Sequence, residues 1–223
     1  MKNKFIIKTV VLLALSTSLF AIQGPHKSVV ISDGVSDNAE ICVYCHTPHA
    51  SRIGGPIPLW NKPGTNLEAI NGFKMYGATT ANTVTAQQPQ NQTLACLSCH
   101  DGVSAMNSVI NAPGTGNVYP DGVLIGTPTD ARTMYDFNFL AVGLNGDLTD
   151  DHPVSIEYIE GKASLRPITD TTDFYGATYI SDLLRNGRVE CVSCHDPHGT
   201  AGLPRYLRKL NDNSGLCFGC HDK

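Results

Sequence analysis

The sequence predicts a single domain of mostly irregular chain, with short helices and a few short strands. Two observations lead to this fold class. The stretch from residue 101 to residue 190 is rich in Gly, Pro, Asn and Asp and has only brief apolar runs. The chain of 223 residues also repeats the pattern Cys-x-x-Cys-His four times. A segment with so few apolar residues cannot organise itself alone, so we expect the core to come largely from something other than side chains.

The N-terminus predicts a secretory signal. Three lysines precede an apolar run from Thr9 to Phe20, which is too short to span a bilayer comfortably. We therefore expect residues 1–21 to be removed after Ala21, which leaves residues 22–223 as one domain. Loss of the three lysines leaves 13 Lys and Arg against 20 Asp and Glu, a net charge of −7. Such an acidic, exported chain is not expected to bind nucleic acid or to span a membrane.

The cysteines are the strongest signal. Eight cysteines in an exported chain ordinarily suggest four disulfides, but here they form four Cys-x-x-Cys pairs, each followed at once by a histidine. A four-cysteine zinc site does not need a histidine at the same offset each time. Cys-x-x-Cys-His is the attachment signature of haem c, in which two thioethers hold the porphyrin and the histidine ligates iron. The predicted attachment residues are Cys42, Cys45, Cys96, Cys99, Cys191, Cys194, Cys217 and Cys220, and the proximal ligands are His46, His100, His195 and His221. We number the motifs and their haems I to IV in chain order.

The remaining histidines match the number of second axial ligands that four haems need. The chain has eight histidines, and four of them lie outside the motif positions. The predicted distal ligands are therefore His26, His49, His152 and His198. Methionine is the competing distal ligand, but methionines more often fill gaps in a core. The candidates of that kind are Met75, Met106 and Met134.

Two histidines three residues apart cannot ligate the same iron. Ligands on opposite faces of one haem need Cα atoms about 12–13 Å apart, given a metal–nitrogen bond of about 2 Å. Three residues span at most about 11 Å. His198 therefore cannot share an iron with His195, nor His49 with His46.

An internal repeat suggests which haem each distal histidine serves. "CVYCHTPHA" and "CVSCHDPHG" carry the extra histidine, whereas "LACLSCHDG" and "LCFGCHDK" do not. We expect haems I and II to form one pair within residues 22–105 and haems III and IV another within 189–223. A loop-rich connection over 106–188 would join the pairs. A histidine just past one haem is well placed to reach its neighbour, so His49 is predicted for haem II and His198 for haem IV. His26 and His152 remain for haems I and III.

Local patterns predict the few regular elements. Each motif is expected on a short helical turn. Capping residues open "SDNAEICVYCH" and "NDNSGLCFGCH", and Pro48 and Pro197 are expected to end their turns. "TYISDLLRNG" predicts one further helix that stops at Gly187. "GVLIG" and "VSIEYI" predict short strands, and "GTGNVYPDG" predicts turns rather than a phosphate loop.

The arrangement CxxCHxPH … CxxCH resembles the doubled-motif multihaem cytochromes. "PLWN" at 58–61 and "DDHPVSIEY" at 150–158 are similar to segments of tetrahaem subunits of extracellular cytochrome filaments. This resemblance implies a coil-rich fold wrapped around a stack of four haems, with one distal histidine lent by the adjacent subunit. It also implies that His152 serves haem I, which leaves haem III for His26 of a neighbouring subunit. Trp60 is predicted to be a buried aromatic side chain rather than part of the electron path.

Coordination predicts function. If two histidines ligate every iron, no position is open for substrate, and the protein transfers electrons without catalysing a reaction of its own. The leading hypothesis is an extracellular subunit that polymerises head to tail and passes electrons to other cytochromes or external acceptors. One alternative is a monomeric tetrahaem shuttle in the periplasm. Another is a haem enzyme that acts on a small nitrogen or sulfur compound, which would require one distal histidine not to be a ligand.

Overall fold

The computed structural model describes residues 41–63, 72–77, 88–125, 133 and 141–222. Most of this chain is irregular, which confirms the prediction of a largely irregular chain with short helices and few short strands. The α-helices are α1 (Asn91–His100), α2 (Ile180–Leu183), α3 (Cys191–Cys194) and α4 (Gly215–Phe218). The strands are β1 (Ser108–Asn111), β2 (Val118–Leu124), β3 (Ile156–Glu157) and β4 (Arg188–Val189). Short 3-10 helices cover Ile41–Tyr44, Leu144–Gly146, Lys162–Ser164, Pro204–Tyr206 and Asp212–Ser214.

The β1–β2 hairpin lies in the connection between the motif pairs. The strands are antiparallel, with Ser108 opposite Leu124 and Asn111 opposite Val118, and a bulge interrupts the register. Gly114 and Gly116 adopt φ angles of 71° and 66° in the turn, as "GTGNVYPDG" predicted for its first half. The second half of that segment was predicted as turn and is instead strand, because Val118 begins β2.

The predicted helix in "TYISDLLRNG" is wrong in its extent. α2 is a single turn, and Leu184 is already extended with ψ of 151°. Asn186 and Gly187 follow with φ angles of 53° and 73°, and the backbones of Arg185 and Arg188 exchange hydrogen bonds across them. Two successive residues of positive φ form the tight turn that Asn-Gly favours. Gly187 therefore leads the chain into β4, which pairs with β3, and does not cap a helix.

The predicted cap of motif IV also differs from the structure, whereas the capping residues predicted for motif I lie outside the described residues. The residue before α4, Ser214, has φ of 62°, and its side chain makes no capping hydrogen bond. α3 ends at Cys194, before Pro197, so the proline follows the turn and does not terminate it. The backbone path set by neighbouring segments therefore decides where these helices begin and end.

The hydrophobic core of the described residues is small. Its one cluster consists of Phe73, Tyr76, Leu97 and Leu148. Met75 packs against this cluster and Met106 is buried, as expected of methionines that fill a core, whereas Met134 lies outside the described residues. Several fully buried side chains are polar, and these are Asn61, Lys62, Thr93, Asp101, Ser155 and Glu190. Among the residues that the structure describes, no helix has both the length and the apolar character needed to cross a membrane.

Candidate haem-attachment site

All four motifs lie on helical turns, as predicted. Motif I occupies the 3-10 helix Ile41–Tyr44 and the residues after it, and motif II ends the longer helix α1. Motifs III and IV occupy α3 and α4. In motifs I, III and IV the histidine N–H donates to the carbonyl of the first cysteine, over 2.7, 3.0 and 3.0 Å. This turn brings the two cysteines and the histidine onto one side of the backbone.

A second piece of chain holds the histidine of motif I, and we call residues 58–61 its return segment. Trp60 forms a β-bridge with His46. The N–H of Thr47 donates to the carbonyl of Leu59 over 2.9 Å, and the N–H of Asn61 donates to the carbonyl of Cys45 over 2.9 Å. Leu59, at the centre of the segment, has φ of 60°.

The same backbone arrangement holds motif III through a second return segment, residues 205–208. Leu207 forms the bridge with His195. The N–H of Asp196 donates to the carbonyl of Tyr206 over 2.7 Å, and the N–H of Arg208 donates to that of Cys194 over 2.8 Å. Tyr206 has φ of 58°, as Leu59 has in motif I.

Motif IV has an equivalent return segment, residues 164–166, which comes before the motif in the chain. Leu165 bridges His221, the N–H of Asp222 donates to the carbonyl of Ser164, and that of Arg166 donates to the carbonyl of Cys220. Tyr158 strengthens this contact, because its hydroxyl donates to the carbonyls of Arg166 and Cys220. Three motifs therefore share one supporting geometry. Motif II instead ends helix α1, and the carbonyl of its His100 accepts from the N–H of Val142 over 2.6 Å.

The histidine rings are oriented by backbone carbonyls. Nδ1 of His195 lies 2.9 Å from the carbonyl oxygen of Arg205, and Nδ1 of His152 lies 3.0 Å from that of Pro153. The ring of His46 makes the same kind of contact with the carbonyl of Pro58. A ring nitrogen that donates to a carbonyl leaves the other nitrogen as a lone-pair donor for a metal.

Burial favours the neutral, metal-binding form of two of these rings. The pKa of His46 is lowered, first by burial and then by the charge of His198. Burial likewise lowers the pKa of His152, and His221 adds to the effect while the contact with Pro153 opposes it. Neutral imidazole is the form that ligates iron.

Trp60 is buried, at 5% exposure, which confirms the prediction of a buried aromatic side chain. Its ring meets that of His46 edge-on, with the centroids 6.0 Å apart and the planes at 79°. The indole therefore supports one face of the motif I histidine.

The cysteines of successive motifs approach one another in chain order. Burial raises the pKa of Cys45 to about 12, and the neighbouring Cys99 of motif II contributes to this. Burial also raises the pKa of Cys194 to about 12, with a contribution from Cys220 of motif IV. The thiols of Cys45 and Cys99 therefore interact through their charges, as do those of Cys194 and Cys220.

Motifs II and III are joined by a direct contact. The thiol of Cys96 donates a hydrogen bond to Cys191, which raises the pKa of Cys96 and lowers that of Cys191. Close by, Thr93 on α1 accepts a hydrogen bond from the N–H of Cys191 over 3.2 Å. Motifs II and III therefore meet directly.

Glu190 is the buried residue that links α1 to α3. Its Oε2 accepts hydrogen bonds from the hydroxyls of Thr93 and Ser155, and its N–H donates to Ser193 over 3.0 Å. Oε1 has no hydrogen-bond partner among the described residues, and burial raises the pKa of this carboxyl.

The predicted distal histidines lie in different surroundings. His49 is exposed, and its carbonyl accepts from Thr47 and Asn111. His152 is held by the hydroxyl of Tyr76, which donates to its carbonyl over 2.9 Å. His198 lies beside His46, with ring centroids 6.5 Å apart. His26 lies outside the described residues.

The chemistry of these donors fits covalently attached haem. All eight cysteines are free thiols, grouped in pairs with a histidine one residue beyond. Within the described ranges, no three His, Cys, Asp or Glu side chains come together as a cluster for a bare metal ion. The ring-to-carbonyl contacts also leave a ligating nitrogen on His46 and His195.

Sequence reasoning missed the return segments and the buried polar residues that support them. Asn61 and Glu190 have ordinary neighbours in the sequence, and their partners lie tens of residues away. "PLWN" is the one return segment that the sequence singled out, through a resemblance and not through its geometry.

Residues 184–223 match the family model described as the doubled CXXCH motif. No curated protein matches the chain. The matched segment contains motifs III and IV together with the return segment 205–208. The chain thus carries the doubled CXXCH motif of multihaem c-type cytochromes, which supports a c-type cytochrome with covalently bound haem c.

Proposed function

We propose that this protein is a tetrahaem electron-transfer cytochrome, with one haem c on each of its four motifs. The observation that carries the proposal is that all four Cys-x-x-Cys-His motifs lie on helical turns and that Cys96 of motif II directly contacts Cys191 of motif III. Thioethers at neighbouring positions would hold neighbouring porphyrins close together. Electron transfer needs such proximity and needs no substrate pocket.

The proposed roles of the residues follow from their contacts. Haem c supplies a one-electron iron couple when attached. The eight motif cysteines fix each porphyrin, and His46, His100, His195 and His221 present one axial nitrogen each. Return segments and backbone carbonyls hold the rings of His46 and His195 and so limit their movement when the charge at iron changes. His26, His49, His152 and His198 are proposed to complete the coordination.

Haem number and ligation are tested by mass spectrometry and ferric spectra of the purified holoprotein. We expect a mass increase of four haems and low-spin signals from all of them. A mass with fewer haems would contradict the count. A high-spin ferric signal, or stoichiometric cyanide binding at neutral pH, would instead favour the alternative of a haem enzyme with an open coordination position.

We further propose that the protein is exported and that its subunits assemble head to tail into an extracellular filament, with His26 ligating haem III of the next subunit. The support is the predicted signal, the resemblance of the motif and its flanking segments, and the position of His26 near the predicted mature N-terminus. A repeated head-to-tail contact that does not close generates a filament. The alternative is a monomeric shuttle in the periplasm.

Electron micrographs of secreted wild-type protein and of His26→Ala separate these alternatives. We expect filaments from the wild type, and soluble monomers with one high-spin haem from the variant. His49→Ala is the matched control, because it should open one haem and leave the filaments intact. A wild-type monomer with four low-spin haems would contradict ligation between subunits.

A further inference from the structure

We propose that His198, from the second motif pair, is the second axial ligand of haem I, opposite His46. The inference rests on the proposed attachment of haem to Cys42 and Cys45. It differs from the expectation that His198 serves haem IV, and it makes a residue of the C-terminal half complete a site of the N-terminal half.

The distance between the two rings carries the inference. The centroids of His46 and His198 lie 6.5 Å apart, and the ring planes differ by 25°. With a metal–imidazole bond of about 2 Å, two imidazoles on opposite sides of one ion have centroids roughly 6 Å apart. Both axial rings contain the iron–nitrogen axis, so a small angle between their planes suits the same arrangement. The spacing is close to the width of a shared iron.

On each ring, one nitrogen lies on the side of a protein oxygen, so the other nitrogen is the candidate ligand of iron. His46 contacts the carbonyl of Pro58 through one ring nitrogen, which leaves the other for iron. Nδ1 of His198 lies 3.9 Å from Oδ1 of Asp196, which is an ion-pair distance and not a hydrogen bond. A metal-bound histidine typically gives its other nitrogen to a carboxylate or a carbonyl. The His46 contact is of that kind, and the carboxylate on the Nδ1 side of His198 favours Nε2 as the ligating nitrogen.

The loop that carries His198 is anchored in this position. Asp196 is buried, and its carboxylate accepts from the N–H of His198 over 3.2 Å and from the N–H of Thr200 over 2.8 Å. The return segment of motif III holds the backbone of Asp196 through Tyr206. The side chain of His198 is nevertheless 63% exposed, so a haem attached to motif I could reach its ring.

The assignment changes the partner expected for His152. If His198 closes haem I, His152 cannot serve that haem. The segment of His152 continues into Tyr158, whose hydroxyl donates to the carbonyl of Cys220 of motif IV over 3.1 Å. His152 then belongs with haem IV, and His49 with haem II. Haem III still falls to His26, now without relying on the placement of His152 at haem I.

The test uses a background in which haem I cannot attach. In the complete holoprotein, His198→Ala should convert one of four haems to high spin, seen by ferric absorption and electron paramagnetic resonance. The number of haems counted by mass spectrometry should stay at four. In Cys42→Ala/Cys45→Ala the mass should fall by one haem. Adding His198→Ala to the double-cysteine variant should leave its ferric absorption and electron paramagnetic resonance spectra unchanged, because the iron that His198 ligates is already absent. His49→Ala is the matched control and should still open one haem there.

Each outcome decides the assignment. A new high-spin haem from His198→Ala in the background without haem I would show that His198 serves another iron and would overturn the proposal. An unchanged spectrum in the complete protein would show that His198 is no ligand and would also overturn it. A wild-type mass without haem would contradict the proposed function itself. If the double-cysteine variant does not mature, an electron cryo-microscopy map of the wild-type holoprotein decides by the imidazole found across from His46.

Discussion

Motifs I and III are held by return segments with the same backbone hydrogen bonds and very different side chains. In motif I the segment is "PLWN", with Trp60 at 5% and Asn61 at 0% exposure. In motif III it is "RYLR", and Leu207 and Arg208 are only half-buried. The comparison shows that the bridge to the histidine is a property of the backbone, whereas the side chains decide how firmly each bridge is fixed to the rest of the protein. We therefore expect motif I to be the more rigid of the two.

Truncation of the bridging side chain should show the largest difference. Trp60→Ala removes a large buried side chain and should lower the free energy of unfolding by about 3–5 kcal/mol. Leu207→Ala removes a smaller, half-buried one and should cost about 1 kcal/mol. Chemical denaturation of the two holoproteins measures both. Trp60→Phe is the control and should lose little, because the indole Nε1 has no hydrogen-bond partner among the described residues. Equal losses at the two bridges would contradict the comparison.

The residue after the bridge should show the next largest effect. Nδ2 of Asn61 donates to the carbonyls of Val43 and Asn111, and its Oδ1 accepts from the N–H of Asn111 over 2.9 Å. Asn61→Ala leaves these buried groups unpaired and should cost about 2–3 kcal/mol in the free energy of unfolding.

Arg208→Ala is the matched change in motif III. The guanidinium donates to the carbonyls of Val192 and Tyr175, which water can reach more readily in a half-buried site. We expect a loss of about 1 kcal/mol by the same denaturation measurement. A larger loss at Arg208 than at Asn61 would reverse the proposed order of rigidity.

The stability of the protein should depend on pH through Glu190, which directly precedes motif III. The pKa of Glu190 is raised above its ordinary 4.5 by burial, so the folded state binds this proton more tightly than the unfolded chain. The protonated Glu190 carboxyl therefore contributes stability below its ordinary pKa. This contribution is lost as the pH rises through the pKa that the carboxyl has in the folded state. Glu190→Gln should remove this loss, so the variant should gain stability relative to wild type as the pH rises. Denaturation curves from about pH 4 to about pH 8 measure the difference. Glu157→Gln, on an exposed residue, is the control, and a pH-independent difference at Glu190 would contradict the argument.

The smallest expected effect is at the centre of the return segment. Leu59 has φ of 60° and is 50% exposed, so its side chain opposes the left-handed conformation that the bridge requires. Leu59→Gly should therefore stabilise the protein by up to about 1 kcal/mol. Leu210 is 44% exposed and lies outside the residues of positive φ, so Leu210→Gly is the matched control and should destabilise. Thermal unfolding compares the two, and a loss of stability in Leu59→Gly would contradict the strain argument.

Some errors of the sequence analysis were avoidable and others were not. Asn186-Gly187 is a strong local turn signal, and reading it would have shortened the helix predicted in "TYISDLLRNG". Nothing local to motif IV indicates that Leu165, more than fifty residues earlier, bridges His221. The contact between His198 and His46 was equally hidden from the sequence, since the reach argument excludes haem III for His198 but does not choose among the other haems, and its assignment to haem IV stays a prediction.

The sequence by itself determined the chemistry of the site and the class of fold. Cys-x-x-Cys-His is a local pattern, since a single helical turn brings its three side chains to one porphyrin, and a chain poor in apolar runs predicts mostly irregular structure. Only the tertiary structure decided how the motifs are held and which of them meet. The return segments, the Cys96–Cys191 contact and the placement of His198 beside His46 join residues far apart in the chain. Such contacts depend on how irregular segments pack against one another, and irregular segments carry no periodic pattern from which that packing can be predicted.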